Sequence, residues 1–569
     1  MATDWDEAAD FVIVGSGGGS MCAALLLQEL GKKPLIIEKL STVGGSTAFS
    51  GGAMWIPNNP VMKRSGIDDS YERARQYLDA AVTYQGKGAS PERREAYLRT
   101  GPEMVEFLER KGLKYTPVYY TWPDYYDDLP GGEKRSRSLV CDLFDINELG
   151  EWKDKLSRYP GVGLPLGSQD FTTLFTVKTT VAGKLMALKL AWRMLKYKLL
   201  GKHVVSNGAA MQGRMLQIAL REHVPIWTDT PVEDFIVENG RVAGVLAKRD
   251  GKSIRVQARD GVLINAGGFA RSAEMKKKYS PQPSSHISTS VPPGDTGEMI
   301  EAAVRHGAAI DCMDEAWWCI TSHCTDGSWP EGATLPNQYV IPFIHHMDIS
   351  LPYSIMVDQN GERFCDEAGS YMEIGQRLYK RHQETGKAVP SWMIMDARNR
   401  KRYPWGVAGP GMTPKSWFDS GYMKKADTLD ELAKLCGIDA AGLKKTVERF
   451  NGFCRKGVDE DYGRGCRAFD VAHGDPSVKP NASLGPIEQG PFYACAMYPG
   501  DVGTAGGVIT DQYARVLRED GSVIPGLYAT GNSTASVMGR CYPAAGASIG
   551  PSFVFGYIAA KHAGGALGR

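Results

Sequence analysis

The chain has 569 residues, 43% apolar and 23% charged, with 66 Lys and Arg against 65 Asp and Glu. That length is too great for one small core and predicts two domains, and the near-zero charge balance excludes a global field that would draw in nucleic acid. Eleven cysteines, odd in number and without a C-x-x-C pair, predict neither a disulfide framework nor a zinc site; His345 and His346 are adjacent without further ligands at regular spacing, so no metal is expected.

The N-terminal stretch carries acids where a signal peptide would carry bases, and it runs straight into a strand, so a cytoplasmic location is expected. Phe11–Val14 reads as a buried parallel strand, followed by Gly15, Gly17, Gly18 and Gly19 and then a helix from Met21 to Leu30. In this arrangement the glycines allow a tight turn and close backbone approach to a pyrophosphate, which the free N–H groups of the helix start attract. Ser20 stands at the helix-packing position where Gly or Ala is usual. A second strand ends at Glu38 and Lys39, and an acid there suits a ribose hydroxyl. Strand, glycine turn, helix, strand and acid together predict dinucleotide binding.

A second glycine shelf follows at once: Gly44, Gly45, Ser46 and Thr47, then Ser50, Gly51 and Gly52. It would let backbone lie against a flat ring system and offer it amides and hydroxyls, which a nicotinamide site does not need. Further along, Val181–Lys202 carries six basic residues and no acid, with Leu185, Leu188, Trp192, Leu195 and Leu199 at helical spacing. This pattern suits either a helix on an anionic membrane surface or one packed on its own domain. No uncharged apolar run is long enough to span a bilayer. Gly261–Arg271, with Ala266 and Gly267, is a strand ending in a glycine pair, and Gly526–Asn532, with Gly531, is another. Next comes Gly539–Tyr557, where Tyr542 and Gly546 stand four residues apart and Ala547, Ser548 and Ile549 open an apolar helix.

The order of these segments resembles the fumarate reductase and succinate dehydrogenase flavoprotein superfamily. The resemblance implies FAD and an α/β fold, a Rossmann-type FAD-binding domain interrupted by an α+β substrate domain. The expected parts are residues 1–280, 281–497 and 498–569, with the active site between the domains. Where those enzymes carry a histidine before T-x-G-G, this chain reads DVGTAGG with Asp501, so a dicarboxylate substrate is not expected.

Almost the whole chain is similar to the 3-ketosteroid Δ1-dehydrogenases, through VGSGGGS, WPDYYDDLPGG, GERFCDEAGSYMEI, YPGDVGTAGG and LYATGNSTASVMGRCYPAAGASIGPS. That resemblance implies that Tyr542 and the Gly546 N–H grip the steroid 3-keto oxygen, that Tyr371 is the base, and that Tyr126 hydrogen-bonds to it. Ala544 and Ala545 depart from the family's usual inner glycine. It implies 1,2-dehydrogenation, with a proton leaving carbon 2 and a hydride leaving carbon 1 for flavin N5. The chemistry needs such residues: the proton is acidic only if the ketone oxygen is stabilised, and a phenol of pKa about 10 needs help to act as a base.

Other expectations are that Trp317, Trp318 and Phe343 line a steroid pocket, and that His323, Asp366 and Glu367 are lesser candidate bases, the last two on a solvated turn. Electrons would pass to an external acceptor, a quinone being one candidate, with peripheral contact at the inner face of the membrane through 181–202. A Δ4-(5α)-dehydrogenase or a fumarate reductase-like electron-relay flavoprotein are the alternatives.

Overall fold

The computed structural model describes residues 4–160, 163–334 and 340–567; residues 1–3, the start of the acidic N-terminal stretch, lie outside them. Glu7–Val14 forms the centre of a parallel sheet, flanked by Lys252–Ile264 on one side and Pro34–Ile37 on the other. Val523–Ala529 and Ile226–Trp227 extend it in parallel, Arg515–Leu517 caps one edge in the antiparallel sense, and Val232–Glu238 and Arg241–Arg249 add an antiparallel extension. The first strand is apolar from Phe11 to Val14, where both its faces are covered. Phe11 and Ile13 enter one core cluster and Val12 and Val14 the other.

Two of the fingerprint glycines serve packing. The helix Gly18–Glu29 crosses the C-terminal helix Ile549–Ala563 so closely that a Cβ on Gly18 would lie 1.9 Å from the Phe553 ring, and one on Gly19 2.3 Å from the Ser552 carbonyl oxygen. The C-terminal segment thereby rejoins the N-terminal one, as the resemblance implied.

The second sheet is antiparallel, in the order Phe343–His345, Ala316–Ser322, Phe492–Thr504, Ser391–Met395, Ser354–Val357, with Met423–Ala426 pairing beside Phe492–Thr504. Side chains alternate between two covering layers. Met393, Met395, Cys495 and Met497 face one layer, while Trp392, Ile394, Ala494 and Ala496 face the other.

The packing divides the chain differently from the expected boundaries. Met275, Met299, Ile300, Ala302 and Ala303 pack with Val12 and Val14 of the larger sheet, so the Pro/Ser-rich stretch near 281 is a loop within one core. The strand Phe492–Thr504 runs through the expected return at 498. At this junction Lys276 Nζ lies 2.5 Å from Asp501, both side chains almost wholly buried. Asp501 also accepts from Thr289 Oγ1 at 2.5 Å and from the Gly503 N–H at 3.0 Å. The acid at the DVGTAGG position is thus a fully paired pin between the helix Ala273–Tyr279 and the second sheet.

Among the described residues no helix is long and apolar enough to cross a membrane. Val181–Leu199 is one continuous helix, and its apolar stripe lies outward: Leu188 is 67% and Trp192 63% exposed, and of its residues only Gly183 is buried.

Candidate active site

A single cavity of about 1580 Å³ runs from the glycine turn of the first strand to the loop bearing Tyr542. Single small-molecule sites usually measure about 300–1,000 Å³, so this one has room for a cofactor and a substrate side by side.

Its first limb is a nucleotide groove. Gly15 has φ +93° and lies so close to Asn265 that a Cβ would be 2.3 Å from that residue's carbonyl oxygen, so only glycine fits. Gly17 precedes a helix whose first turn has neither a side-chain cap nor an acid, a start suited to an anion. Glu38, at the end of the second strand, accepts from the Ser16 N–H and hydroxyl at 3.0 and 2.6 Å and from the Leu40 N–H at 2.9 Å. Burial pushes its pKa up, while those hydrogen bonds favour the anion. Lys39 reaches the rim, where it pairs with Glu298 at 2.7 Å.

Gly45, Ser46, Thr47, Ser50, Gly51 and Gly52 line the middle of the groove, and Ala266, Gly267, Gly531, Asn532, Ser548 and Ile549 its opposite wall. The Ser50 hydroxyl is used locally, donating to the Thr47 carbonyl at 2.6 Å. Asp295, absent from the sequence-based expectations, lines the same groove with Oδ1 buried and without a hydrogen-bond partner. Burial, with Asp501 nearby, pushes its pKa up to about 7. Glycines that a Cβ would jam, a pinned acid and a buried carboxylate with a free oxygen together fit a dinucleotide of the FAD type. Three expected contacts do not face the cavity. Gly18 and Gly19 are occupied by helix packing, and Ala547 is turned into a second small cavity beside Pro551.

The second limb is aromatic. Tyr371 begins the helix Tyr371–Thr385, and its ring centroid lies 4.9 Å from that of Tyr542. Tyr542 is also edged by Trp317 at 5.2 Å, and its hydroxyl is 3.3 Å from Ser548 Oγ. Burial pushes the Tyr371 phenol well above its ordinary pKa, and the Tyr542 hydroxyl adds to the rise. Gly546 has φ +92°, its carbonyl accepts from the Trp55 N–H at 3.2 Å, and a Cβ there would lie 2.4 Å from the Ala53 carbonyl oxygen. Gly546→Ala is therefore expected to cost about 1–3 kcal/mol in backbone strain and to push this loop off the Ala53–Trp55 shelf. The checks are a lowered Tm and a raised KM in the purified variant.

The expected partner of Tyr371 has to be corrected by one residue. Tyr126 does not line the cavity; its ring lies under the Arg467 guanidinium at 5.0 Å. Tyr125 is the residue facing the site, with its ring 5.9 Å from Tyr371 and 5.8 Å from Tyr542, and its N–H donates to the Pro543 carbonyl at 2.8 Å. Successive side chains of the turn at 125–128 leave the backbone on different sides, so the YY pair fixes the place but not the phase.

His346 was read only as a poor metal ligand, yet it lines the cavity with its ring 5.7 Å from Tyr371, and burial lowers its pKa. Trp122, Cys319, Ile344 and Val502 complete a largely apolar wall. Trp317, Trp318 and Phe343 do not line the cavity: Trp317 edges Tyr542 from the second small cavity, and Trp318 and Phe343 pack against Tyr379 and Trp417. His323 stacks on Tyr498 at 3.7 Å, outside the site. The expected solvated turn is buried instead. Glu367 is clamped by Arg363 at 2.7 Å and Arg464 at 3.1 Å, and Asp366 has its pKa pushed up to about 6 by burial.

Fold and groove define a flavoprotein, and residues 10–549 match the FAD binding domain family, to which the chain belongs. It is 40% identical to the 3-oxosteroid 1-dehydrogenase of Mycobacterium tuberculosis (strain ATCC 25618 / H37Rv), across 98% of this chain and 99% of that one. The 3-ketosteroid Δ1-dehydrogenase of Sterolibacterium denitrificans, solved in complex with 1,4-androstadiene-3,17-dione, superposes with a TM-score of 0.90 at 37% identity, covering 98% of this chain and 100% of that one. At 33% identity, over 97% of this chain and 93% of the relative, stands the 4-oxocyclohex-2-ene-1-carboxylate 5-dehydrogenase of Sinomonas cyclohexanicum. The chain is a member of the 3-oxosteroid 1-dehydrogenase family, an FAD-dependent oxidoreductase.

Proposed function

We propose that this enzyme introduces the double bond between carbons 1 and 2 of a 3-ketosteroid. The observation that carries the reading is the convergence of Tyr371, Tyr542 and Gly546 on one apolar limb that opens directly onto the flavin groove. Gly15, Gly17 and Glu38 would hold the FAD diphosphate and ribose, and the shelf from Gly45 to Gly52 would hold its ring. When bound, FAD supplies the acceptor for the two electrons and the hydrogen that leave carbon 1.

The chain's own residues handle the ketone and the proton. The Tyr542 hydroxyl and the Gly546 N–H donate to the ketone oxygen and stabilise the negative charge that gathers there as carbon 2 loses its proton. Tyr371 takes that proton, and a hydrogen bond from Tyr125, whose ring lies 5.9 Å away, would ease its loss of a proton against the upward push of burial. Trp122, Cys319, Ile344 and Val502 cover the rest of the steroid. All four are apolar, which suits an apolar ring system.

The test is turnover of androst-4-ene-3,17-dione with an artificial electron acceptor and identification of the product by NMR. The 1,4-diene supports the reading. A double bond elsewhere in the ring supports a Δ4-(5α)-type reaction, and absence of turnover supports a relay protein.

The outward apolar stripe of Val181–Leu199, flanked by Lys184, Lys189, Lys196 and Lys198, supports docking on the anionic inner face of the membrane. There a membrane quinone is the fitting electron acceptor and the lipid a reservoir of substrate. The protein is expected to sediment with phosphatidylglycerol vesicles and not with phosphatidylcholine ones. Trp192→Glu with Leu188→Glu should release it at unchanged turnover of soluble steroid; equal sedimentation with both kinds of vesicle would contradict electrostatic docking.

A further inference from the structure

We infer that Glu315 is a positioning residue that fixes the ketone-binding loop relative to the base; the assignment rests on the 3-ketosteroid reading above. Glu315 immediately precedes the strand Ala316–Ser322, and its side chain is 6% exposed. One carboxylate oxygen accepts from Trp318 Nε1. The other accepts from Gln376 Nε2 at 3.1 Å and from Arg540 Nη1 at 3.3 Å. Gln376 lies five residues beyond Tyr371 on the same helix, and Arg540 lies two residues before Tyr542. The Gln376 amide also donates to the Arg540 carbonyl at 3.0 Å, closing a triangle between loop, helix and carboxylate.

Two corners of that triangle, Arg540 and Glu315, are also held from outside. Arg540 reaches Asp314 at 2.8 and 3.0 Å, with its guanidinium over the Tyr84 ring at 5.1 Å. The Glu315 backbone donates to the Cys312 carbonyl at 2.9 Å and accepts from the Ala505 N–H at 3.0 Å. A helix passes displacement along its axis nearly rigidly, and Gln376 stands only about 7.5 Å along it from Tyr371. Glu315 does not line the cavity, so its influence runs through these partners. Burial raises its pKa while its donors favour the anion, which keeps the carboxylate dependent on all three. Proton abstraction requires the ketone grip and the base in register, and a misplacement of about 1 Å costs on the order of 100-fold.

The experiment compares flavin-loaded wild type, Glu315→Ala, Glu315→Gln and Gln376→Leu in anaerobic stopped flow with androst-4-ene-3,17-dione, normalised to bound flavin. It reads the limiting rate of flavin reduction, the steroid Kd and the Tm. Glu315→Ala is expected to lower the limiting rate about 100-fold with Kd changed less than about threefold, because the pocket survives while its alignment does not. Glu315→Gln keeps an acceptor for Gln376 and Arg540 and should recover most of that loss. Gln376→Leu cuts only the helix leg, should cost about tenfold, and decides the question alone if Glu315→Ala fails to hold flavin. A limiting rate within about threefold of wild type overturns the role, as does a loss shared equally by rate and Kd that Glu315→Gln does not rescue. Wild type that fails to reduce its flavin overturns the steroid reading and this role with it; wild type that reduces it beside an unaffected Glu315→Ala overturns only this role.

Discussion

Tyr542→Phe is expected to slow flavin reduction by a 3-ketosteroid about 100- to 1000-fold, or about 2.7–4 kcal/mol in barrier height. The aromatic ring stays: it packs between Tyr371, Tyr125 and Trp317 at centroid distances of 4.9, 5.8 and 5.2 Å, all ring contacts that phenylalanine retains. What goes is one of the two donors proposed for an oxygen whose charge grows only as the reaction proceeds. The loss therefore belongs in the limiting rate more than in steroid affinity, and FAD content should be unchanged. Stopped-flow reduction by androst-4-ene-3,17-dione measures it directly. A loss confined to affinity would mean that Tyr542 holds the ground-state ketone and no more.

Tyr371→Phe removes the proposed proton acceptor itself, and a loss of about 100- to 10,000-fold is expected. The pH dependence gives an independent signature. Burial and the neighbouring Tyr542 hold the Tyr371 phenol above its ordinary pKa, so the form that accepts a proton is the minor one near neutrality. Below that raised pKa the phenolate fraction grows about tenfold per pH unit, so the rate of flavin reduction should climb as pH rises from 7 towards 10. In Tyr371→Phe that slope should vanish. A flat profile in the wild type would place the base elsewhere, and His346, 5.7 Å from Tyr371, would be the next residue to replace.

The nucleotide half was legible because its constraints are local. A buried strand, glycines at a turn and an acid at the end of the next strand lie within the first forty positions, each with a physical reason for its residue type. Even there, Gly18 and Gly19 belong to helix packing, a demand set by the C-terminal helix more than 500 positions away. Asp295 could not be read, because a lone acid in a PGDTG loop looks like any solvated turn until its oxygen is found buried beside the groove.

The second half resisted for the opposite reason. Phe492–Thr504 contains Pro499 and Gly500, residues that break strands on propensity alone, yet Pro499 pairs with Ile320 and Asp501 with Trp318. The Lys276–Asp501 pair and two layers of side chains hold the register against local preference. The burial of Glu367 is not legible locally, because one of its two arginine partners, Arg464, lies 97 positions along the chain. In the catalytic limb the C-Y-P-A-A-G spacing identified Tyr542 and Gly546, whereas Tyr125 and Tyr126 are separated only by side-chain direction.

The most direct measurement mixes the FAD-loaded enzyme anaerobically with androst-4-ene-3,17-dione, follows the visible absorbance of oxidised flavin, and identifies the steroid recovered. The proposed chemistry predicts rapid bleaching together with androsta-1,4-diene-3,17-dione in step with the flavin reduced. Flavin that stays oxidised, or that is bleached only by a small cyclohexanone carboxylate, would contradict it.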